Sequence, residues 1–189
     1  MSAVSDVAKL QEVFGVKIWE TVEFRGEQTL RVELDSLHDL LAKCRDDFGY
    51  EMILDISSLD HFGEDPRFEM VYEIATLDDA KHLRIKAKVG EDEAVPSMTD
   101  LWVGADWHER EVWDMMGIPF SGHPNLKRIL MWEGYPFFPL RKDFPLAGRP
   151  TDMPDVAFTG VAPLEGGPFV THAGGEDVAR REPRAQVVE

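Results

Sequence analysis

The chain has 189 residues, with 20 Lys and Arg against 36 Asp and Glu, for a net charge of −16. So acidic a molecule lacks the basic face that nucleic-acid phosphates demand, and no run approaches the roughly 20 apolar residues of a membrane helix. One cysteine, Cys44, leaves no intramolecular disulfide and no multi-cysteine zinc or iron–sulfur site; together with a start that has no secretory-signal pattern, it fits a reducing, cytoplasmic setting.

Val4, Val7, Leu10, Val13 and Phe14 fall at helical spacing and predict a short amphipathic helix. Val16 to Phe24 and Thr29 to Leu34 flank Arg25-Gly26-Glu27, the pattern of a β-hairpin. Ser36 to Phe48 reads as a helix with Leu37, Leu40, Leu41 and Cys44 as its apolar stripe, Ser36 as N-cap and Gly49 as C-cap. Cys44 on that stripe is expected to be a buried, inert thiol. Three strands are predicted at Glu51 to Leu59, Phe68 to Leu77 and His82 to Val89, the last two with strict alternation. Their outward rows, Glu69 and Glu73 against Arg84, Lys86 and Lys88, suit cross-strand pairing. A helix is then expected from Ser97, with Asp100 completing a capping box, through a break at Gly104 to Met116 and a C-cap at Gly117.

The expected fold class is α+β: a mostly antiparallel sheet of about five strands with helices on one face. A helix, an irregular Pro- and aromatic-rich docking segment and an extended C-terminal tail follow. The corresponding divisions are 1–124, 125–146 and 147–189. The middle one stands out by charge: 1–124 holds 12 basic and 27 acidic residues and 151–189 holds 3 and 7, whereas 125–150 holds 5 and 2. The last division is rich in Pro and Gly and poor in periodic apolar residues. It cannot bury enough surface alone to offset the entropy of ordering, so it reads as a flexible tail or an arm ordered on another protein.

Residues 107–114, Trp-His-Glu-Arg-Glu-Val-Trp-Asp, are the densest candidate for chemistry. His108-Glu109 opens like H-E-x-x-H, but Val112 stands where the second zinc ligand belongs. Glu111 and Asp114 share a helix face at i, i+3, as an acid–base pair would. The competing reading is a charged helix face with Arg110 near Asp114 at i, i+4. His123, between Gly122 and Pro124, fits a general base or a turn residue. No phosphate-binding glycine motif and no nucleophile elbow occur. In 118–145 the aromatic residues Phe120, Trp132, Tyr135, Phe137, Phe138 and Phe144 are interleaved with prolines, Arg128, Arg141 and Lys142. Prolines prevent a helical core stripe there. Two readings remain: the rings pack on the sheet, or they form a docking surface of the kind that concentrates binding energy.

The run Glu109 to Pro124 matches E-R-E-x-x-D-M-x-G-I-x-F-x-G-H-P at every defined position, and Pro139 to Asp143 reads P-L-R-K-D. This combination strongly resembles the C-type (30-kDa-type) subunit family of bacterial NADH-quinone oxidoreductase, respiratory complex I. Two departures are Lys127, where Arg is usual, and a rearranged loop over Met131 to Phe138. The resemblance implies a peripheral-arm subunit on the cytoplasmic side of the membrane, attached only through the complex. It implies no cofactor in this chain, with FMN and iron–sulfur clusters in partner subunits. It also implies packing on the D-type, quinone-site subunit, near the B-type subunit that holds the last cluster. It implies structural or interface roles for Trp107, Glu109, Arg110, Glu111, Asp114, Gly117, Gly122, His123, Pro124, Arg128, Arg141, Lys142 and Asp143, and no catalytic residue. Related subunits occur in energy-converting hydrogenases and in complexes fed by other donors. A reading of a different class is a free-standing acid–base enzyme using Glu111, Asp114 and His123. Another is an assembly chaperone.

Overall fold

A computed structural model describes residues 3–77, 81–145, 156–157 and 160–161. The chain divides into two compact units, Met1–Phe138 and Pro139–Glu189. The first holds α1 (Ala3–Phe14), β1 (Ile18–Phe24), β2 (Glu27–Val32), α2 (Leu37–Phe48), β3 (Met52–Asp60), β4 (Phe68–Ala75), β5 (His82–Val89), β6 (Val95–Pro96), α3 (Ala105–Met116) and β7 (Phe120–Ser121). In the second, β8 (Val156–Ala157) and β9 (Gly160–Val161) pair antiparallel. Apart from these four residues, the expected arm at 147–189 lies outside the described residues.

Five strands form one sheet in the order β1-β2-β5-β4-β3. Three of its pairings are antiparallel and β2–β5 is parallel. The β1–β2 hairpin closes through Arg25 and Gly26, both at positive φ (53° and 83°), the backbone that matches the twist of a two-residue turn. One sheet face carries Leu30, Val32, Phe68, Met70, Tyr72, Ile74, Leu83, Ile85 and Ala87, all at most 1 % exposed. Leu37, Leu40, Leu41 and Cys44 of α2 are fully buried in the same core. Burial pushes the Cys44 thiol well above its ordinary range, with the Asp6 charge adding to it, so the thiol stays protonated and inert. The opposite face carries the charged rows. Glu73 stands directly across from Arg84 and pairs with it, and Lys86 reaches Glu69 at 3.0 Å on the diagonal.

Several local expectations give way to longer-range contacts. On α1 the buried residues are Asp6, Val7 and Leu10, while Val4 and Val13 are exposed. Asp6 is buried because Lys81 meets it at 3.2 Å. The Ser36 hydroxyl does not cap α2; it donates back to the Glu33 carbonyl at 2.9 Å. Gly49 and Gly117 do end their helices in the left-handed conformation, at φ 75° and 74°. The last helix starts at Ala105, not Ser97. No capping box forms, because the Ser97 hydroxyl is committed to Glu109 and the Asp100 carboxylate lies 3.0 Å from His38. Residues 98–102 turn instead on the Met98 carbonyl, which accepts from Leu101 and Trp102.

Candidate functional site

The motif residues converge on α3. Asp114 is fully buried near its C-terminal end. Its Oδ2 accepts three consecutive amides, Ile129 at 3.0 Å, Leu130 at 2.8 Å and Met131 at 2.9 Å. Its Oδ1 pairs with the Arg128 guanidinium, which also donates to the Asp114 carbonyl at 2.9 Å and the Phe137 carbonyl at 3.3 Å. Burial alone would raise this carboxyl, but the Met131 and Leu130 amides, Arg128 and the Ile129 amide hold it below its ordinary value. One side chain therefore fixes an otherwise irregular, proline-interrupted loop to the helix.

Arg128 completes the anchor from the loop side. Its guanidinium lies over the rings of Phe138 (5.2 Å), Trp113 (5.4 Å) and Tyr135 (5.7 Å). Tyr135 meets Trp132 and Phe137 edge to face, with centroids 4.6 Å and 5.6 Å apart. The cation meets ring faces and ring edges meet ring faces, so both contacts are electrostatically favourable while burying apolar area. Of the two readings left open for these aromatics, inward packing describes Tyr135, which is buried, and the Trp113–Arg128–Phe138 cage. The packing is on α3 and on one another.

A second buried cluster occupies the other end of α3. Glu109 is fully buried and accepts the Ser97 hydroxyl at 2.7 Å and the Met98 amide at 2.6 Å. It thereby anchors the end of β6, which pairs in parallel with β7. His123, with no side-chain exposure, follows β7 and brings Nε2 to 3.1 Å from Asp106 Oδ1 and 4.0 Å from Glu109 Oε2. Its Nδ1 accepts the Asn125 amide at 3.0 Å. Burial, opposed by the Met98 and Ser97 hydrogen bonds and assisted by Asp100 and Asp106, pushes the Glu109 carboxyl up to about 7.

The remaining motif residues separate from these clusters. Arg110 does not reach Asp114; it donates to the Lys127 carbonyl at 3.1 Å and stacks 5.1 Å from the exposed Trp107 ring. Glu111 is exposed while Asp114 is buried, so the acid–base pair that their i, i+3 spacing allows is not formed. Gly122 turns the chain at φ 81° before His123, and Pro124 is exposed. Arg141, Lys142 and Asp143 belong to the second unit, in a turn closed by the Phe144 amide on the Arg141 carbonyl at 3.0 Å. Sequence reasoning missed Ser97, Asp106 and Tyr72 as neighbours of Glu109. Only Ser97 carried a signal, its cap-forming hydroxyl, and that signal pointed to the wrong partner. Among the described residues no group of three or more His, Cys, Asp or Glu could hold a metal ion, and no helix is long and apolar enough to cross a membrane.

Residues 30–150 match the family model of the respiratory-chain NADH dehydrogenase, 30 Kd subunit. The chain belongs to that family. It is 43% identical over 143 residues to the C-type subunit of NADH-quinone oxidoreductase from Citrifermentans bemidjiense, covering 75% of this chain and 89% of the relative. A C-type subunit of the same oxidoreductase from Rhizobium meliloti is 52% identical over 99 residues, 52% of this chain and 54% of that protein. A C/D-type subunit from a Sulfurihydrogenibium strain is 40% identical over 152 residues, 78% of this chain but 26% of that longer protein. A chain in the structure of the membrane-bound sulfane sulfur reductase, an archaeal respiratory membrane complex, has the same fold, with a TM-score of 0.65 over 75% of this chain and 85% of that one, at 23% identity. Both clusters, Glu109–His123 and Asp114–Arg128, lie inside the span matched to the 30 Kd family model.

Proposed function

We propose that this chain is a structural subunit of the peripheral arm of a proton-translocating NADH:quinone oxidoreductase. It carries no cofactor and no catalytic residue of its own; NADH oxidation, FMN, the iron–sulfur clusters and quinone reduction belong to its partners. It packs on the D-type subunit, near the B-type one, and meets the membrane only through the complex, on the cytoplasmic side. One observation carries the reading: the two buried carboxylates of α3 are spent on the chain's own loops. Asp114 is saturated by three amides and Arg128, and Glu109 faces Ser97, Met98 and His123 in a closed interior. Groups so engaged position a surface instead of meeting a substrate. A relative whose name joins the C and D types in one protein supports the D-type subunit as the neighbour.

The test is a mild-detergent pull-down from membranes through a tag on this chain, with an absorption spectrum and an NADH-to-quinone assay. Co-purification of the D-type and B-type subunits with flavin and iron–sulfur absorption and activity is the expected result. A clean, colourless chain without partners overturns the reading. The role given to Arg141 is tested in the same preparation: Arg141→Met is expected to reduce recovery of the D-type subunit, and normal assembly and activity in that variant removes Arg141 from the interface.

A further inference from the structure

We propose that Glu109 is a one-proton latch, taking up and releasing a proton through Ser97 and Thr99 and thereby setting how tightly the β6–β7 pair is held to α3. The latch is independent of which complex contains the chain. Its geometry is that of an interior with more acceptors than protons. The single Nε2–H of His123 faces Asp106 Oδ1, the Asp106 carbonyl at 3.3 Å and Glu109 Oε2. His123 Nδ1 already accepts from the Asn125 amide, so the ring's other nitrogen supplies no further donor. Asp106 Oδ1 makes no hydrogen bond among the described residues.

A proton on Glu109 is accommodated without moving a heavy atom, by reorienting hydroxyl hydrogens alone. The Ser97 hydroxyl lies 2.7 Å from Glu109 Oε2 and 2.9 Å from Thr99 Oγ1, and the Ser97–Thr99 bond can run in either direction. When Glu109 is neutral, its O–H donates to Ser97 Oγ and Ser97 donates to Thr99. When the proton leaves, Ser97 turns its O–H back onto Glu109 Oε2, and the proton exits through Thr99, which is half-buried and reaches solvent. Met98 N–H donates to Oε1 in both states. The charged state is the poorer one. Glu109 then faces Asp106 on its own helix, the exposed Asp100 from the preceding turn and Tyr72 from β4, with the Met98 amide and the Ser97 hydroxyl stabilising the charge and His123 Nε2 4.0 Å away. Burial, more than any neighbour, holds the carboxyl up near 7.

The test is a pH titration of the isotope-labelled full chain by NMR, with Glu109→Gln as a mimic of the neutral state. The Glu109 carboxyl carbon and the Met98 amide are expected to titrate together at about pH 7, and the Met98 step is expected to be missing in E109Q. At about pH 8, E109Q is expected to have a folded-to-unfolded ratio roughly 300-fold above the unaltered chain, the difference shrinking to a few-fold by about pH 5. Protection of the Val95 and Ser97 amides, which bond the Pro119 and Ser121 carbonyls, is expected to fall as Glu109 ionises. The proposal is overturned if Glu109 titrates with ordinary carboxylates below about pH 5, or if E109Q is the less stable form at about pH 8. Should E109Q fail to fold, the Met98 amide in the unaltered chain decides alone.

Discussion

Asp114 replaces a regular element with a single side chain. The loop it holds is interrupted by prolines and cannot satisfy its own amides through helix or sheet, so one carboxylate takes three of them. Removing it leaves those amides and the largely buried Arg128 guanidinium without their acceptor. Asp114→Ala is therefore expected to cost about 3–5 kcal/mol, as loss of one partner from a buried pair does, read from the urea midpoint at constant slope. Asp114→Asn keeps one acceptor and is expected to cost less. The carboxyl is held below its ordinary value, so the sign is fixed. Its contribution is present above the unfolded-state value and is lost as pH falls through the lower folded-state value. The unaltered chain should thus lose stability on acidification through that window, and D114N should lack this component. Arg128→Lys keeps the charge but loses the fork that spans Asp114 and the Phe137 carbonyl and the stacking on three rings. It is expected to fall between the unaltered chain and Arg128→Met in the same denaturation series.

At the scale of elements, local signals decided where the sequence could be read. Alternation in β4 and β5 identified both strands and the side that carries charge, because a period of two leaves no other face for Phe68, Met70, Tyr72 and Ile74. Gly49 and Gly117 marked both helix ends, because a left-handed residue is cheapest as glycine. Gly117→Ala is expected to destabilise the chain by about 1 kcal/mol through that conformation alone, measured as a shift in thermal midpoint. What failed were the capping hydrogen bonds: α2 does begin after Ser36, but without its hydroxyl, and α3 begins at Ala105 instead of Ser97. Ser36 and Ser97 both carry a capping hydroxyl, yet one bonds back to Glu33 and the other reaches twelve positions forward to Glu109. A cap competes with every other acceptor the fold brings near, and those acceptors are set by tertiary structure. The parallel β2–β5 pairing was hidden for the same reason, since strands separated by α2, β3 and β4 declare no partner in their own residues. At the site, spacing correctly placed Asp114 and Glu111 close along α3. It did not tell which was buried, because that depends on where residues 125–131 come to lie.

The whole molecule divides its motif between an interior that is closed and a surface that is open. Glu109, Asp114, His123 and Arg128 look inward, whereas Trp107 is 63 % exposed and Leu130 is 61 % exposed. Trp107 is backed by Arg110, whose own anchor is the Lys127 carbonyl of the loop held by Asp114. The inward group therefore determines where the outward group sits, and the two can be separated experimentally. Trp107→Ala removes little buried area, so the melting transition is expected to move by no more than about 0.5 kcal/mol. A large aromatic that becomes buried against a partner is worth far more, commonly about 2 kcal/mol or above. In the tagged pull-down, W107A is expected to lower recovery of the partner subunits while leaving the fold intact. D114A should lower both together, because it releases the loop on which Arg110 rests. Full recovery of partners with W107A would place the contact surface elsewhere on the molecule and leave the Asp114 anchor with a purely internal role.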